Sequence, residues 1–173
     1  MSSMIIRPET RADHAAIEEV NREAFGREVE ARLVENLRRS SSFIPELSLV
    51  AARDGSILGH ILFCHMAIQM DHGRLSALSL APLAVRPGYQ NLGIGSELVR
   101  HGLRQCQALG HKIVVVVGHP NYYPRFGFTS ARANGLEAPF PVPDQAFMVL
   151  ELVPGALNGI RGMIKYPPAF DGV

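Results

Sequence analysis

The chain is poor in the features that would send it to a membrane, out of the cell or onto nucleic acid. It has two cysteines in 173 residues, Cys64 and Cys106, both inside predicted core elements and without the spacing of a disulfide framework, so reduced, buried thiols are expected. No basic run followed by an apolar segment opens the chain, and its longest apolar stretches fall far short of the roughly 20 residues a membrane helix needs. A cytoplasmic location is the default expectation. The formal net charge of +1 provides neither a broad nucleic-acid surface nor a polybasic membrane anchor. No repeat or low-complexity segment is visible. His60, His65 and His72 lack the spacing of metal ligands, so they are expected to be ordinary core or surface histidines and no metal is expected.

What is present is globular: 47% hydrophobic and 19% charged residues, in a length that suits one domain burying roughly 70% of its unfolded surface. A single domain over 1–173 is expected, with 153–173 as a C-terminal extension. The order of elements is α/β. Met4 to Arg7 reads as a strand ended by Pro8. Asp13 can cap a helix running to Phe25 with Ala16, Ile17, Val20 and Ala24 inward, and Glu28 to Arg38 forms a second through Val29, Leu33, Val34 and Leu37. Arg38 and Arg39 read as its solvated end. Leu47–Arg53 and Ile57–Met70 flank Asp54-Gly55 and so form a hairpin; Asp71-His72-Gly73 turns the chain into Leu75–Val85. Late in the chain, Pro139, Pro141 and Pro143 mark a loop before a strand over 146–152, and 160–166 can add one more.

The most informative stretch is Gln90-Asn91-Leu92-Gly93-Ile94-Gly95-Ser96. It follows the strand-compatible Leu75–Val85 and the Pro87-Gly88 turn. It precedes an amphipathic helix over 95–109 with Leu98, Val99, Leu103, Cys106 and Leu109 on one face and Glu97, Arg100, Arg104 and Gln107 on the other. Gly110 supplies the stop. A strand, a glycine turn and a helix N-terminus make an anion site, because unpaired N–H groups and the helix dipole both point at the turn. The dinucleotide fingerprint fails, since Leu98 stands where its third glycine should be, and the P-loop fails, since Ser96-Glu97 follows Gly95. A glycine connection that only tightens strand-to-helix packing is the plain alternative. Ile113–Val117 is a continuous β-branched run, the mark of a strand buried on both faces, and it completes a strand, crossover helix, parallel strand unit.

Gln90 to Gly95 resembles the acyl-CoA pyrophosphate loop of the GNAT superfamily of N-acetyltransferases, Q/R-x-x-G-x-G/A. Tyr122-Tyr123-Pro124-Arg125-Phe126-Gly127-Phe128 is similar to the aromatic-Tyr-x-x-x-Gly-Phe segment that follows the second parallel strand in that family. The two motifs stand in the family's order and separation, the resemblance spans about 5–152, and it is strongest to the small bacterial YhbS-like branch. It implies a mixed α/β fold: a mostly antiparallel sheet with one parallel β-α-β core, flanked by helices, and a CoA-binding core over about 75–128. It further implies acetyl-CoA as cosubstrate and direct transfer to a primary amine, with a homodimer left open; the charge and apolar lengths given above point to no nucleic-acid or membrane partner.

The resemblance assigns roles residue by residue. Gln90, Asn91, Leu92, Gly93, Ile94, Gly95 and Ser96 would hold the pyrophosphate. A bulge near Pro82, a residue that cannot donate to a ladder, would leave donors near Leu83, Ala84 and Val85, with the Val85 N–H on the thioester carbonyl; Pro82 could instead mark where the chain leaves the sheet. Tyr123 would be the general acid to the departing thiolate, unless it is a core tyrosine with a satisfied hydroxyl; Tyr122 would pack. Here Gly118-His119-Pro120-Asn121 runs almost directly into the tyrosines, where the family has an asparagine and then a short helix. That departure bears on whether Asn121 contacts CoA. Leu75–Val85 contains no carboxylate, the family's frequent base, which leaves His119, of a residue type that often serves as a general base, and Glu151 on the late strand. Acceptor contacts would come from around 25–30 and 133–144, a position-based expectation. A non-catalytic acyl-CoA-binding domain is the competing class, and a nucleotide-binding module a further one.

Overall fold

A computed structural model describes residues 3–173. Nine strands form one mixed sheet whose path runs β1 (Ile5–Pro8), β2 (Phe43–Arg53), β3 (Ser56–Met70), β4 (Gly73–Val85), β5 (Ile113–Val117), β8 (Phe147–Glu151) and β6 (Thr129–Ser130). β9 (Gly162–Lys165) joins through β3 and also pairs with β7 (Leu136–Glu137). Three helices complete the fold: α1 (His14–Phe25), α2 (Val29–Arg38) and α3 (Ile94–Ala108). The expected hairpin forms at Asp54-Gly55 between β2 and β3, and the expected tail strand is β9. β3 is long enough to pair with β4 along its length while its other edge takes β2 as far as Cys64 and β9 from Ala67 to Gln69.

Side-chain alternation divides the core by faces of the sheet. Val114 and Val116 of β5 pack with α3 residues Leu98, Val99 and Cys106, while Ile113 and Val115 pack on the opposite face with Phe147, Val149 and Ile164. This is why that run is apolar without interruption. α1 and α2 cover the opposite face further along the sheet, placing Ile17, Val20, Leu33 and Leu37 against Val50, Leu62 and Ala84. Cys64 and Cys106 are both buried free thiols, pushed up to about 12 by burial.

Two features position the site. β4 and β5 are parallel neighbours only at Leu78↔Val114 and Ser79↔Val115; beyond these pairs they separate. The β3–β4 register also shifts between Phe63↔Leu80 and Ile61↔Leu83, so an extra residue enters β4 around Ala81-Pro82. The bulge reverses the side-chain parity. Leu78 and Leu80 face α3 before it, and Leu83 and Val85 pack against that same cluster after it.

Candidate active site

The separation of β4 from β5 opens a cavity of about 520 Å³ whose lining includes Pro82, Val85, Gly118, His119, Tyr123 and Glu30. On its β4 wall, the Arg86 N–H donates to Leu58 O (2.9 Å). By the alternation of an antiparallel ladder, the opposed pair one residue back, Gly59↔Val85, exchanges no bonds, and the Val85 N–H and C=O both point away from β3. The C=O accepts from Gln90 Nε2 at 3.0 Å. The N–H is aimed at the opening that β5 has vacated.

A second cleft of about 510 Å³ continues from the first along Leu83, Val85, Gln90 and Tyr122 to Asn91, Gly93, Gly95, Ser96 and Arg125. Gly93 is the N-cap of α3 at φ 87°, and its carbonyl takes the first helical bond from the Glu97 N–H. The N–H groups of Ile94, Gly95 and Ser96 therefore precede any intrahelical bond and stand at the positive end of a 15-residue helix. A Cβ built on Gly95 would come within 3.0 Å of Tyr122 Oη, so a side chain there would crowd the cleft. Tyr122 does more than pack: its hydroxyl is 3.2 Å from Ser96 Oγ, and its ring carries the Arg125 guanidinium 4.7 Å from its centroid. Among the described residues Arg125 is the one cationic side chain lining this cleft. The motif contained it, but nothing in the sequence marked it as facing a phosphate site.

Tyr123 lies across the first cavity in a short 3₁₀ turn (Tyr123–Phe126), which replaces the fourth helix expected from the family pattern. Its ring is packed edge-on against Tyr122 and Phe128. None of the side-chain hydrogen bonds among the described residues uses its hydroxyl, and that hydroxyl is not a sealed orphan, so it opens on the cavity. Burial, with Tyr122 beside it, holds the phenol well above its usual range. A Cβ on Gly118 would lie 2.5 Å from Tyr123 Cε2, so the tyrosine's position depends on having glycine at the end of β5. That close approach cannot be read from the sequence.

The structure brings together Leu83, Ala84, Val85, Gln90, His119 and Tyr123 around the first cavity, and Asn91, Gly93, Gly95 and Ser96 around the second. Leu92 is 68% exposed, Ile94 turns its side chain into the core, and Asn121 is exposed and outside both linings. Leu92 and Ile94 can thus contribute backbone only. Glu151 is removed from the acceptor side: it pairs with Ile113 at the far end of β5 and accepts the Leu157 N–H at 2.7 Å. The expected solvated end of α2 is half wrong, since Arg38 is drawn inward to bind the buried Glu9 carboxylate (2.9 and 3.1 Å), while Arg39 stays exposed. Of the expected acceptor segments, 25–30 contributes Phe25 and Glu30 to the first cavity. In 133–144, Pro139 and Phe140 face a neighbouring cavity, but Ala133 to Gly135 line a separate depression near Glu151. Among the described residues no group of three or more His, Cys, Asp or Glu side chains could hold a metal ion.

A strand bulge facing a parted parallel strand, with a glycine-capped helix at one end of the cleft, is the arrangement of an acyl-CoA transferase. Residues 5–131 match the model of the Acetyltransferase (GNAT) domain, and the chain belongs to the GNAT family of N-acetyltransferases. It is 40% identical over 136 residues to Escherichia coli YjhQ, covering 78% of this chain and 75% of that protein. It is 35% identical over 169 residues to E. coli YhbS, covering 97% and 99%; both relatives carry the name uncharacterized N-acetyltransferase. The crystal structure of YhbS in complex with CoA superposes with a TM-score of 0.91 over 98% of this chain and 93% of that one. A GNAT family acetyltransferase from Brucella melitensis, in complex with acetyl-CoA, gives 0.80 at 32% identity over 98% and 99%.

Proposed function

We propose that the chain, as one catalytic domain over 1–173, transfers an acetyl group directly from acetyl-CoA to a primary amine in a ternary complex. The observation that carries this is the continuity of the two cavities. Sharing Leu83, Val85, Gln90 and Tyr122 in their linings, the two together run from the N–H groups at the start of α3, past the parted edge of β4, to Tyr123. In this reading the pyrophosphate sits on the N–H groups of 94–96 with Arg125 supplying the opposing charge. The pantetheine arm lies along the strand edge left open by β5, and the thioester oxygen accepts from the Val85 N–H. That donor is fixed before the reaction, so it favours the oxygen most as negative charge grows there.

The amine nitrogen attacks the thioester carbon, the C–S bond breaks, and the sulfur takes the Tyr123 proton as its charge develops. An acceptor that arrives as an ammonium first releases one proton to solvent; the proton the neutral amine loses on attack passes to His119, which lines the same cavity, and His119 and Tyr123 then re-equilibrate with solvent. A phenol kept above its usual range by burial stays protonated until the thiolate forms. It does not compete for the amine's proton.

The test is release of CoA thiol from acetyl-CoA across a panel of primary amines, with calorimetric binding of acetyl-CoA measured alongside. Turnover on at least one amine is expected. Tight acetyl-CoA binding with no thiol released from any amine would make the chain a non-catalytic acyl-CoA-binding domain. Thermal stabilisation by ATP or NAD but not by acetyl-CoA would remove the assignment altogether.

A further inference from the structure

Large apolar side chains left in water are usually scattered, but here several collect in one place. Val117, Phe140 and Met163 are each 41% exposed, and all three line a cavity of about 590 Å³ beside the transfer cavity. Four elements that meet only in the fold build it: β4 around Leu80, the end of β5, the loop before β8, and β9 with the segment after it. Phe140 stacks on Tyr166 at 5.8 Å and 25°, and Tyr166 in turn meets Phe170 at 4.8 Å, which makes a continuous aromatic wall. Leu80, Ala81, Val117 and Phe170 line this cavity and the transfer cavity alike. The wall is therefore an extension of the reaction site. Its charged side chains are Lys165 and Asp171, both exposed at the margin.

The transfer cavity has one side-chain carboxylate among the described residues, Glu30. It stands in the first turn of α2, its side chain 10% exposed, and is held by Arg27 Nε at 2.9 Å and Nη2 at 2.5 Å. Arg27 is 60% exposed, so its charge is largely answered by water and Glu30 keeps attraction for a second cation.

We infer that the acceptor is a small primary amine on an apolar body, its ammonium end drawn toward Glu30 and its body set against Phe140, Met163 and Tyr166. This rests on the transferase reading above. A polyamine would bring several charges to a site whose side-chain carboxylates among the described residues are Glu30 and the marginal Asp171, with Lys165 also at that margin. An amino sugar would strip its hydroxyls of water against an aromatic wall that offers few partners. A cavity of this size suits a small ligand.

The experiment uses the full chain and three probes: 2-phenylethylamine, spermidine and glucosamine. Thiol release gives kcat and KM for each, and calorimetry on the CoA-saturated protein gives binding without chemistry. The expected result is a kcat/KM for 2-phenylethylamine at least 10-fold above the other two. Phe140→Ala should raise its KM by about 10-fold or more with the KM for acetyl-CoA unchanged, and Phe140→Leu, which restores apolar bulk, should recover most of that loss. Glu30→Gln should weaken 2-phenylethylamine by a similar factor. Preferential turnover of spermidine or glucosamine would overturn the inference and leave the transferase reading standing. If no amine is acetylated but 2-phenylethylamine binds the CoA complex in a Phe140-dependent way, the ligand class stands and the transferase reading falls. If 2-phenylethylamine neither binds nor reacts, or Phe140→Ala changes nothing, the inference is wrong.

Discussion

At the scale of single residues, Tyr123 gives the sharpest test of the proposed chemistry. Tyr123→Phe keeps the ring that packs between Tyr122, Phe126 and Phe128 and removes only the oxygen that faces the cavity. Acetyl-CoA affinity and melting temperature should hold, while kcat falls by roughly 10²-fold or more, the scale of a lost general acid. The loss belongs in kcat because the bond to sulfur strengthens only as the thiolate forms. A kcat within a few-fold of the parent, measured by thiol release, would return Tyr123 to the core. Its place was legible in the sequence because the residues around it form a segment with a fixed pattern. Arg125 and Glu30 were not legible in the same way: one is an arginine among aromatics and the other a glutamate in the first turn of an ordinary amphipathic helix. Only the packing of Tyr122 and the placing of α2 at the rim of the first cavity turn them toward cavities.

At the scale of elements, the unit β4, α3, β5 was readable because each member announces itself locally: a β-branched run, a 3.6-residue periodicity, and a glycine turn between strand and helix. The same holds for the β2–β3 hairpin with its Asp-Gly turn. β6 and β7, two residues each, have no period to detect, and they exist because β8 and β9 offer an edge. The β4 bulge was foreshadowed by Pro82, but its consequence, a Val85 N–H turned toward the opening, needs the β3 register. The loop and helix start also provide a prediction at this scale. Gly95→Val would put branched carbons where a Cβ alone already reaches within 3.0 Å of Tyr122 Oη and 3.7 Å of Val85 Cγ2. Because Gly95 sits in the first turn of α3 and is half-buried, the helix should persist and the melting temperature change by a few degrees. Acetyl-CoA affinity by calorimetry should drop at least 10-fold. Undiminished affinity would remove this loop from the phosphate site.

At the scale of the whole molecule, the helices α1 and α2 are tied to the sheet by a buried polar chain that the sequence does not announce. Asn21 Nδ2 reaches His60 Nδ1 at 3.2 Å, His60 Nε2 lies 2.9 Å from Ser48 Oγ, Ser48 donates to the Glu9 carboxylate, and Glu9 also holds Arg38 and His14. His60 is fully buried. Burial first, with a smaller contribution from the Arg38 cation, pushes it down to about 4 against the opposing pull of Glu9. The folded protein keeps this imidazole neutral to about pH 4, whereas the unfolded chain protonates it near 6.5, so between those values the unfolded state binds more protons and stability must fall with pH. Glu9 acts in the same direction at lower pH. Despite its burial, Arg38 and Ser48 hold its carboxyl below the usual range, and the stability this contributes is lost as acid protonates it. The decline should begin near pH 6.5, before carboxylates titrate, and reach on the order of 3 kcal/mol at about pH 4 from His60 alone. Urea unfolding at pH 7.5, 6.5, 5.5 and 4.5 measures it. His60→Gln keeps polar atoms in the gap between Asn21 and Ser48 without the titration, so its stability at pH 7.5 should be lower and its slope from 6.5 to 5.5 shallower. Equal slopes in parent and variant would mean that His60 is not the group coupling α1, α2 and the sheet to pH.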